Sequence, residues 1–270
     1  IRKYDREDIR DILERASARE TAARVAIGAL AKQFLKACGI EVVSHVTNIG
    51  GIAVDAAKID TKQIHGTISE LNCYDSTAEK DMESKIREAK AAGDTLGGIF
   101  EVVVHGVPLG LGSHIQWDNR LDGRLAGAMM SIQAIKGVEF GAGFNYAAMP
   151  GSLAHDELFY NEAKKVYRKT NHAGGLEGGM SNGEDILIRA VMKPIPTLMK
   201  PLHSVDIATH EAVLASKERS DVCAVSAASV VGEAMTAIVI AQAVVEKFGG
   251  DAMADVLESI ANYQQRIQEE

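Results

Sequence analysis

The sequence predicts an α+β protein built of antiparallel layers, and three observations point there. Two helical stretches, one crowded with small residues and one apolar almost all round, need cover on their outer sides. Six short apolar or β-branched runs bounded by glycine or proline can supply that cover as strands. Strand and helix runs do not alternate regularly, which disfavours a doubly wound parallel sheet. With 270 residues, 46% of them hydrophobic, the chain can bury a sizeable core. It shows no low-complexity stretch, repeat or linker, so residues 1–270 are expected to form a single domain.

From about Asp5 to Cys38 the pattern reads as one long helix or two in tandem, with Gly39 as the C-terminal stop. Its run of Ala16, Ala18, Ala22, Ala23, Ala26, Gly28, Ala29 and Ala31 predicts close packing on more than one side. Strands are expected at Ile40–Ile49, Gly98–His105, Ser113–Trp117, Gly137–Phe140, Ile186–Met192 and Ser204–Ile207. More polar, amphipathic helices are expected at about Ala78–Ala92, Leu121–Ile135 and Asp251–Gln268. Ser226–Phe248 is the second, apolar helix, and a helix without a polar face is buried.

Bulk properties exclude several functions. The net charge of −8 disfavours a nucleic-acid partner, which needs a basic face. It does not exclude a small anion, because local arginines can make a positive pocket in an acidic protein. No window approaches the apolar length that spans a bilayer. Cys38, Cys73 and Cys223 lie far apart with no CxxC pair, which suggests neither a disulfide framework nor a zinc site and fits a reducing, cytoplasmic compartment. The histidines form no metal signature: His203 and His210, near Asp206 and Glu211, lack ligand spacing. No dinucleotide fingerprint follows a strand, and no phosphate-cradling P-loop is present.

Thr170–Thr197 carries the densest chemical signal. Five glycines fall within ten residues, an apolar strand with one arginine follows, and the stretch stops at Lys-Pro-Ile-Pro-Thr. Glycines let a backbone turn sharply or approach a flat or charged ligand, so this stretch can form the wall of a site; ordinary tight turns use glycine too. ERASARET (Glu14–Thr21) puts Arg15 and Arg19 four residues apart on one helical face. There they either offer an anion two charges or sit solvated beside Glu14 and Glu20. In ERSDVCAV (Glu218–Val225), Arg219 and Asp221 precede a helix start, where Asp221 can cap the helix and the free N–H groups favour an anion. In MMSIQAIKG (Met129–Gly137) the methionines and isoleucine read as core. His155, Asp156 and His172 read as surface residues or as members of a site.

Six segments together resemble one family, the chorismate synthases: KYDREDIRDILERASARETAARVAIGALAK, GGIFEVVVHGVPLGLGS, AMMSIQAIKGVEFGAGF, TNHAGGLEGGMSNG, KPIPT and ERSDVCAVSAASVVGEAM. They stand in the family's order and cover nearly the whole chain. The resemblance implies two antiparallel sheets enclosing central helices, in a cytoplasmic homotetramer. It also implies conversion of 5-enolpyruvylshikimate 3-phosphate to chorismate by 1,4-anti elimination of phosphate. That reaction requires reduced FMN without net redox change. NADP is associated with the family, although no nicotinamide fingerprint is present here.

By the same resemblance, FMN contacts fall at Arg15, Ala16, Ser17, Gln133, Ala134, Gly178, Lys193, Pro194, Ile195, Pro196, Thr197 and Arg219. Arg19 looks like a substrate-anion ligand, and Asp221 matches the acid that works with flavin N5 in removing the substrate proton. Two positions depart from the family pattern: Gln133 stands where Asn is usual, and Ser226 where Pro is usual. The family's GESHG-like and RPGHAD-like motifs, which carry its two proton-donating histidines, are absent. The chain is therefore expected to be the C-terminal two-thirds of such an enzyme and nearly inactive alone. The alternatives are a fragment that only binds flavin or a partner chain, and a flavin oxidoreductase.

Overall fold

Local side-chain chemistry divides the first forty residues differently from the expected long helix. A computed structural model of the chain describes residues 2–8, 10–56, 59–64, 69–163, 165–215, 217 and 220–269, without the side chains at 13–15 and 268–269. Helix α1 (Arg10–Ala16) stops at Ser17, whose backbone is extended (φ −74°, ψ 140°) and whose Oγ accepts the Arg19 N–H at 3.3 Å. Serine competes for backbone N–H groups in this way and interrupts helices. A 3-10 turn, Ala18–Glu20, then leads into α2 (Thr21–Ala37), and Gly39 follows at φ +78° as the predicted stop. Arg15 and Arg19 therefore do not share one helical face, which corrects the expectation.

The chain continues through β1 (Glu41–Ile49), β2 (Ile52–Ala53), α3 (Ser76–Ala91), β3 (Gly98–His105), α4 (Leu121–Met130), β4 (Ile135–Phe140) and α5 (Gly151–Ala154). Then come β5 (Leu158–Asn161), β6 (Lys165–Arg168), β7 (Leu176–Glu177), β8 (Met180–Ser181), β9 (Ile186–Met192), β10 (His203–Val205), β11 (Ala212–Leu214), α6 (Val225–Phe248) and α7 (Met253–Glu269). The layers are antiparallel, as predicted. One five-stranded sheet runs β2-β1-β3-β9-β4, and three two-stranded sheets pair β5 with β6, β7 with β8 and β10 with β11.

Period-two alternation decides which sheet face meets the helices. Val42, Val46, Phe100, Val102, Val104, Ile186, Ile188 and Ala190 join α6 in the main core. Val43 and Val103 point to the other face, where Ile64 covers them with Leu187 packed alongside. Helix α6 crosses this sheet at Gly232, where a methyl would overlap the Phe100 ring, and crosses α2 at Gly28, where a methyl would overlap Ala234.

The rest of the expectation needs correction in four places. Helix α2 is packed on one side only: Gly28 and Leu35 are its buried residues, and Leu30 is 68% exposed. Ser113–Trp117 is not a strand, because Ser113 Oγ takes the Ile115 N–H into a local turn and Ile115 and Trp117 stay exposed. Helix α4 ends at Met130 rather than Ile135, where Ser131 Oγ donates back to the Ala128 carbonyl and Ala134 adopts φ +66°. Finally, α6 does have the length and apolarity of a membrane span, with mean hydropathy 1.8; 61% of that window is buried, as in a core helix.

Candidate active site

Four of the segments singled out in the sequence meet through one continuous run of hydrogen bonds. It starts at the Ser17 turn, where the Arg19 side chain also donates to Ser17 Oγ at 3.3 Å. Glu20, the last residue of the 3-10 turn, accepts the Gln133 Nε2–H at 2.7 Å, which joins this turn to the one after α4. The next residue, Ala134, holds a left-handed conformation that costs a non-glycine residue of order 1 kcal/mol. Its carbonyl accepts the Lys193 N–H at 2.9 Å, so the bend delivers the Lys-Pro-Ile-Pro-Thr turn to the same place.

Beyond Lys193 the run continues. Thr95 Oγ1 donates to the Ile195 carbonyl at 2.7 Å, and the Leu96 N–H donates to the Val222 carbonyl at 2.8 Å. Leu96 and Cys223 also form a parallel bridge. Asp221 thereby stands beside the proline turn, exposed, just ahead of α6. It does not cap that helix: Ala224 occupies the N-cap with no side-chain bond, so the capping expectation is corrected. Burial raises the nearby Cys223 thiol above its ordinary range.

The positions expected to act together are thus mostly gathered. Ala16, Ser17, Arg19, Gln133, Ala134, Lys193–Thr197 and Asp221 follow this run of bonds. Arg19, Lys193 and Asp221 are exposed. Neither Arg19 nor Lys193 is in an ion pair among the described residues. Arg15 contributes its backbone to α1, while its side chain and Arg219 lie outside the described residues.

Gly178 is not brought to the cluster. It sits with Gly179 at the β7–β8 turn, both at positive φ (61° and 86°), the geometry of a tight two-residue hairpin turn. The Gly179 carbonyl accepts the N–H of Leu121, the first residue of α4, whereas Gln133 follows the last turn of α4. A ten-residue helix separates these ends by about 15 Å.

The glycine-rich wall has its own anchor. Asp156, its side chain 1% exposed, accepts the Thr170 hydroxyl at 2.5 Å and the His172 and Ala173 N–H groups at 2.8 and 2.9 Å. Burial pushes the Asp156 carboxyl up, but those bonds outweigh it and hold the group below the usual carboxylate range. His172 Nδ1 lies 3.2 Å from the Ala154 carbonyl, which makes it part of this anchor. Among the described residues no three potential metal ligands converge.

Glu20, Arg24 and Thr95 were not singled out as site residues from sequence. Glu20 and Arg24 carried a signal in their i, i+4 spacing with the acid first. Thr95 carried none.

Fold and site together define an α+β protein whose segments from both ends of the chain converge on one cluster that exposes Arg19, Lys193 and Asp221. Residues 1–245 match the family model described as "Chorismate synthase". The chain is 55% identical over 270 residues to the chorismate synthase of Desulforamulus reducens, covering 99% of this chain and 70% of that protein. It is 56% identical over 262 residues to that of Alkaliphilus metalliredigens, covering 97% and 69%. A solved structure described as "Crystal Structure of Chorismate Synthase" superposes with TM-score 0.83 at 44% identity, over 99% of this chain and 75% of that one. The chain belongs to the chorismate synthase family.

Proposed function

We propose that this chain is a single chorismate synthase domain that acts as a lyase on 5-enolpyruvylshikimate 3-phosphate, using reduced FMN. The observation that carries the reading is the run of hydrogen bonds from Ser17 through Gln133, Ala134 and Lys193 to Val222. It ties together the segments in which the resemblance puts flavin and substrate contacts. Nothing in the comparisons favours a fragment that merely binds flavin.

The residues present fit the cofactor on one structural test. Among the described residues Gln133 Oε1 is buried without a donor, and the flavin ring edge carries an N–H that could supply one. Arg15–Ser17, Gln133, Ala134, Lys193–Thr197 and Arg219 would hold the group; Gly178 is assigned to it by resemblance alone. When bound, reduced FMN supplies electron density toward the departing phosphate and a basic N5 near the substrate proton.

The chain's own residues do the rest. Arg19 and Lys193 hold substrate and cofactor anions by charge-assisted hydrogen bonds. The Asp221 carboxylate, beside the proline turn, takes up the proton passed from the site as the diene forms. Proline at 194 and 196 stiffens the turn and so limits the ordering cost of binding. We also propose a homotetramer, supported by the uncovered apolar side of α2.

Titrating the chain with FMN and following flavin fluorescence tests the reading. Saturable binding, weakened about tenfold or more in Lys193→Ala by loss of a charged contact, is expected. Absence of saturable binding by the intact chain would overturn it.

A further inference from the structure

The Gln133 side-chain amide is fixed at one end and, among the described residues, lacks a partner at the other. Its Nε2 faces Glu20 Oε1 at 2.7 Å. A carboxylate only accepts, so the nitrogen and not the oxygen of the amide must face Glu20. That orientation leaves Oε1 as the orphan, closed off from water and without a donor.

Glu20 is itself clamped. Arg24 Nε donates to Glu20 Oε2 at 3.0 Å, and a terminal Arg24 nitrogen lies 2.7 Å from Oε1. The other terminal nitrogen of Arg24 donates to Ser131 Oγ at 2.8 Å, in the turn two residues before Gln133. Both carboxylate and guanidinium are about a quarter exposed, so neither has water as its main partner. The carboxylate cannot swing aside and let the amide turn over. A buried acceptor without a donor is disfavoured in the folded state, and this network enforces one instead of relieving it.

We propose that Glu20, braced by Arg24, is a positioning residue that aims the Gln133 amide oxygen at the imide N–H of the bound flavin ring. The inference rests on the flavin reading of the site and goes beyond it, by naming the contacting atom and the residues that orient it. A phosphate or carboxylate in the same place would bring only acceptors against an acceptor, so the network selects the ring edge over the anionic parts of either ligand. Because Oε1 is covered before binding, the covering side chains part as the ring enters.

The test compares dissociation constants for FMN and N3-methyl-FMN, which lacks the imide N–H, in the unmodified chain, Glu20→Gln and Arg24→Lys. The unmodified chain is expected to prefer FMN by about tenfold, the scale of one hydrogen bond made in place of an unmet acceptor. In Glu20→Gln the new amide can offer either its oxygen or its nitrogen, so Gln133 loses its enforced orientation. FMN binding then weakens while N3-methyl-FMN binding does not, and the preference falls below about threefold. Arg24→Lys, which leaves Glu20 charged but braced at one point, is expected to keep a preference between those two. A purely structural role would weaken both ligands equally and leave their ratio intact, which overturns the proposal. No preference in the unmodified chain also overturns it while leaving FMN binding standing; failure to bind FMN at all overturns the flavin reading with it.

Discussion

At the scale of single residues, two partly buried ionisable groups shape how the protein responds to pH. His105 Nδ1 lies 2.9 Å from Asp185, and its Nε2 lies 3.2 Å from the Thr61 carbonyl. Both partners only accept, so both contacts are hydrogen bonds only when the ring is an imidazolium. The Asp185 hydrogen bond accordingly raises the His105 pKa against the opposing effect of burial. A raised folded value means that this stabilisation is fully present below the unfolded pKa, about 6.5, and is lost as pH rises through the folded value. The melting temperature of His105→Gln should therefore fall furthest below that of the unmodified chain near pH 6, and the gap should narrow toward pH 9. Asp156 has the opposite sign. Its depressed pKa contributes stability above the unfolded value, about 3.9, and that contribution disappears as pH falls through the folded value. Asp156→Ala removes the acceptor of three donors and should cost about 2–3 kcal/mol near neutrality, the cost shrinking as pH falls through the folded value, as read by denaturant melts. The Asp156 anchor was not legible in sequence, because its donors are fourteen to seventeen residues away.

At the scale of elements, legibility followed how local the deciding interaction was. Strands β3 and β9 were readable to the residue, since each is a mostly buried, largely apolar run, broken only by Glu101 or Arg189, with glycine or proline close by. Helix α6 was readable for the same reason. The break at Ser17 was not, because one serine hydroxyl decides it, and the small-residue pattern around it favours a continuous helix. That break also undid the reading of Arg15 and Arg19 as one helical face. The hairpin β5–β6 escaped notice because its exposed Leu158, Tyr160 and Val166 blur the alternation that marks a half-buried strand. The small residues of α2 do mark a packing surface, but on one side of the helix, and of them Gly28 is the buried one. Gly28→Ala should destabilise by about 1–3 kcal/mol through overpacking against Ala234, although glycine-to-alanine in an exposed helix gains about 1 kcal/mol. A thermal melt showing stabilisation instead would mean that α2 and α6 do not cross there.

At the scale of the whole molecule, a candidate site is assembled from turns that the sheet and α6 hold in register. Its motifs were legible because each is a compact chemical signature. Their meeting was not, because the joining contacts, Glu20 to Gln133 and Thr95 to Ile195, are tertiary bonds across about a hundred residues of sequence. Gly178 shows the limit of motif reading: it belongs to the matching segment, yet lies at the other end of α4. Ile27, Leu30, Ala31 and Phe34 with Ile238, Ala241 and Val245 line an open apolar groove of about 510 Å³ between α2 and α6. Light scattering should give a mass near four times 28.9 kDa. Leu30→Asp, placing a charge on that groove, should lower the assembly state without unfolding the chain. The most direct measurement is anaerobic formation of chorismate from 5-enolpyruvylshikimate 3-phosphate by the intact chain with reduced FMN, beside Asp221→Asn. The account predicts equal release of chorismate and phosphate, at a low rate because the sequence carries neither proton-donating histidine motif, and slower again in Asp221→Asn; chorismate without matching phosphate, or undiminished turnover in the variant, would contradict it.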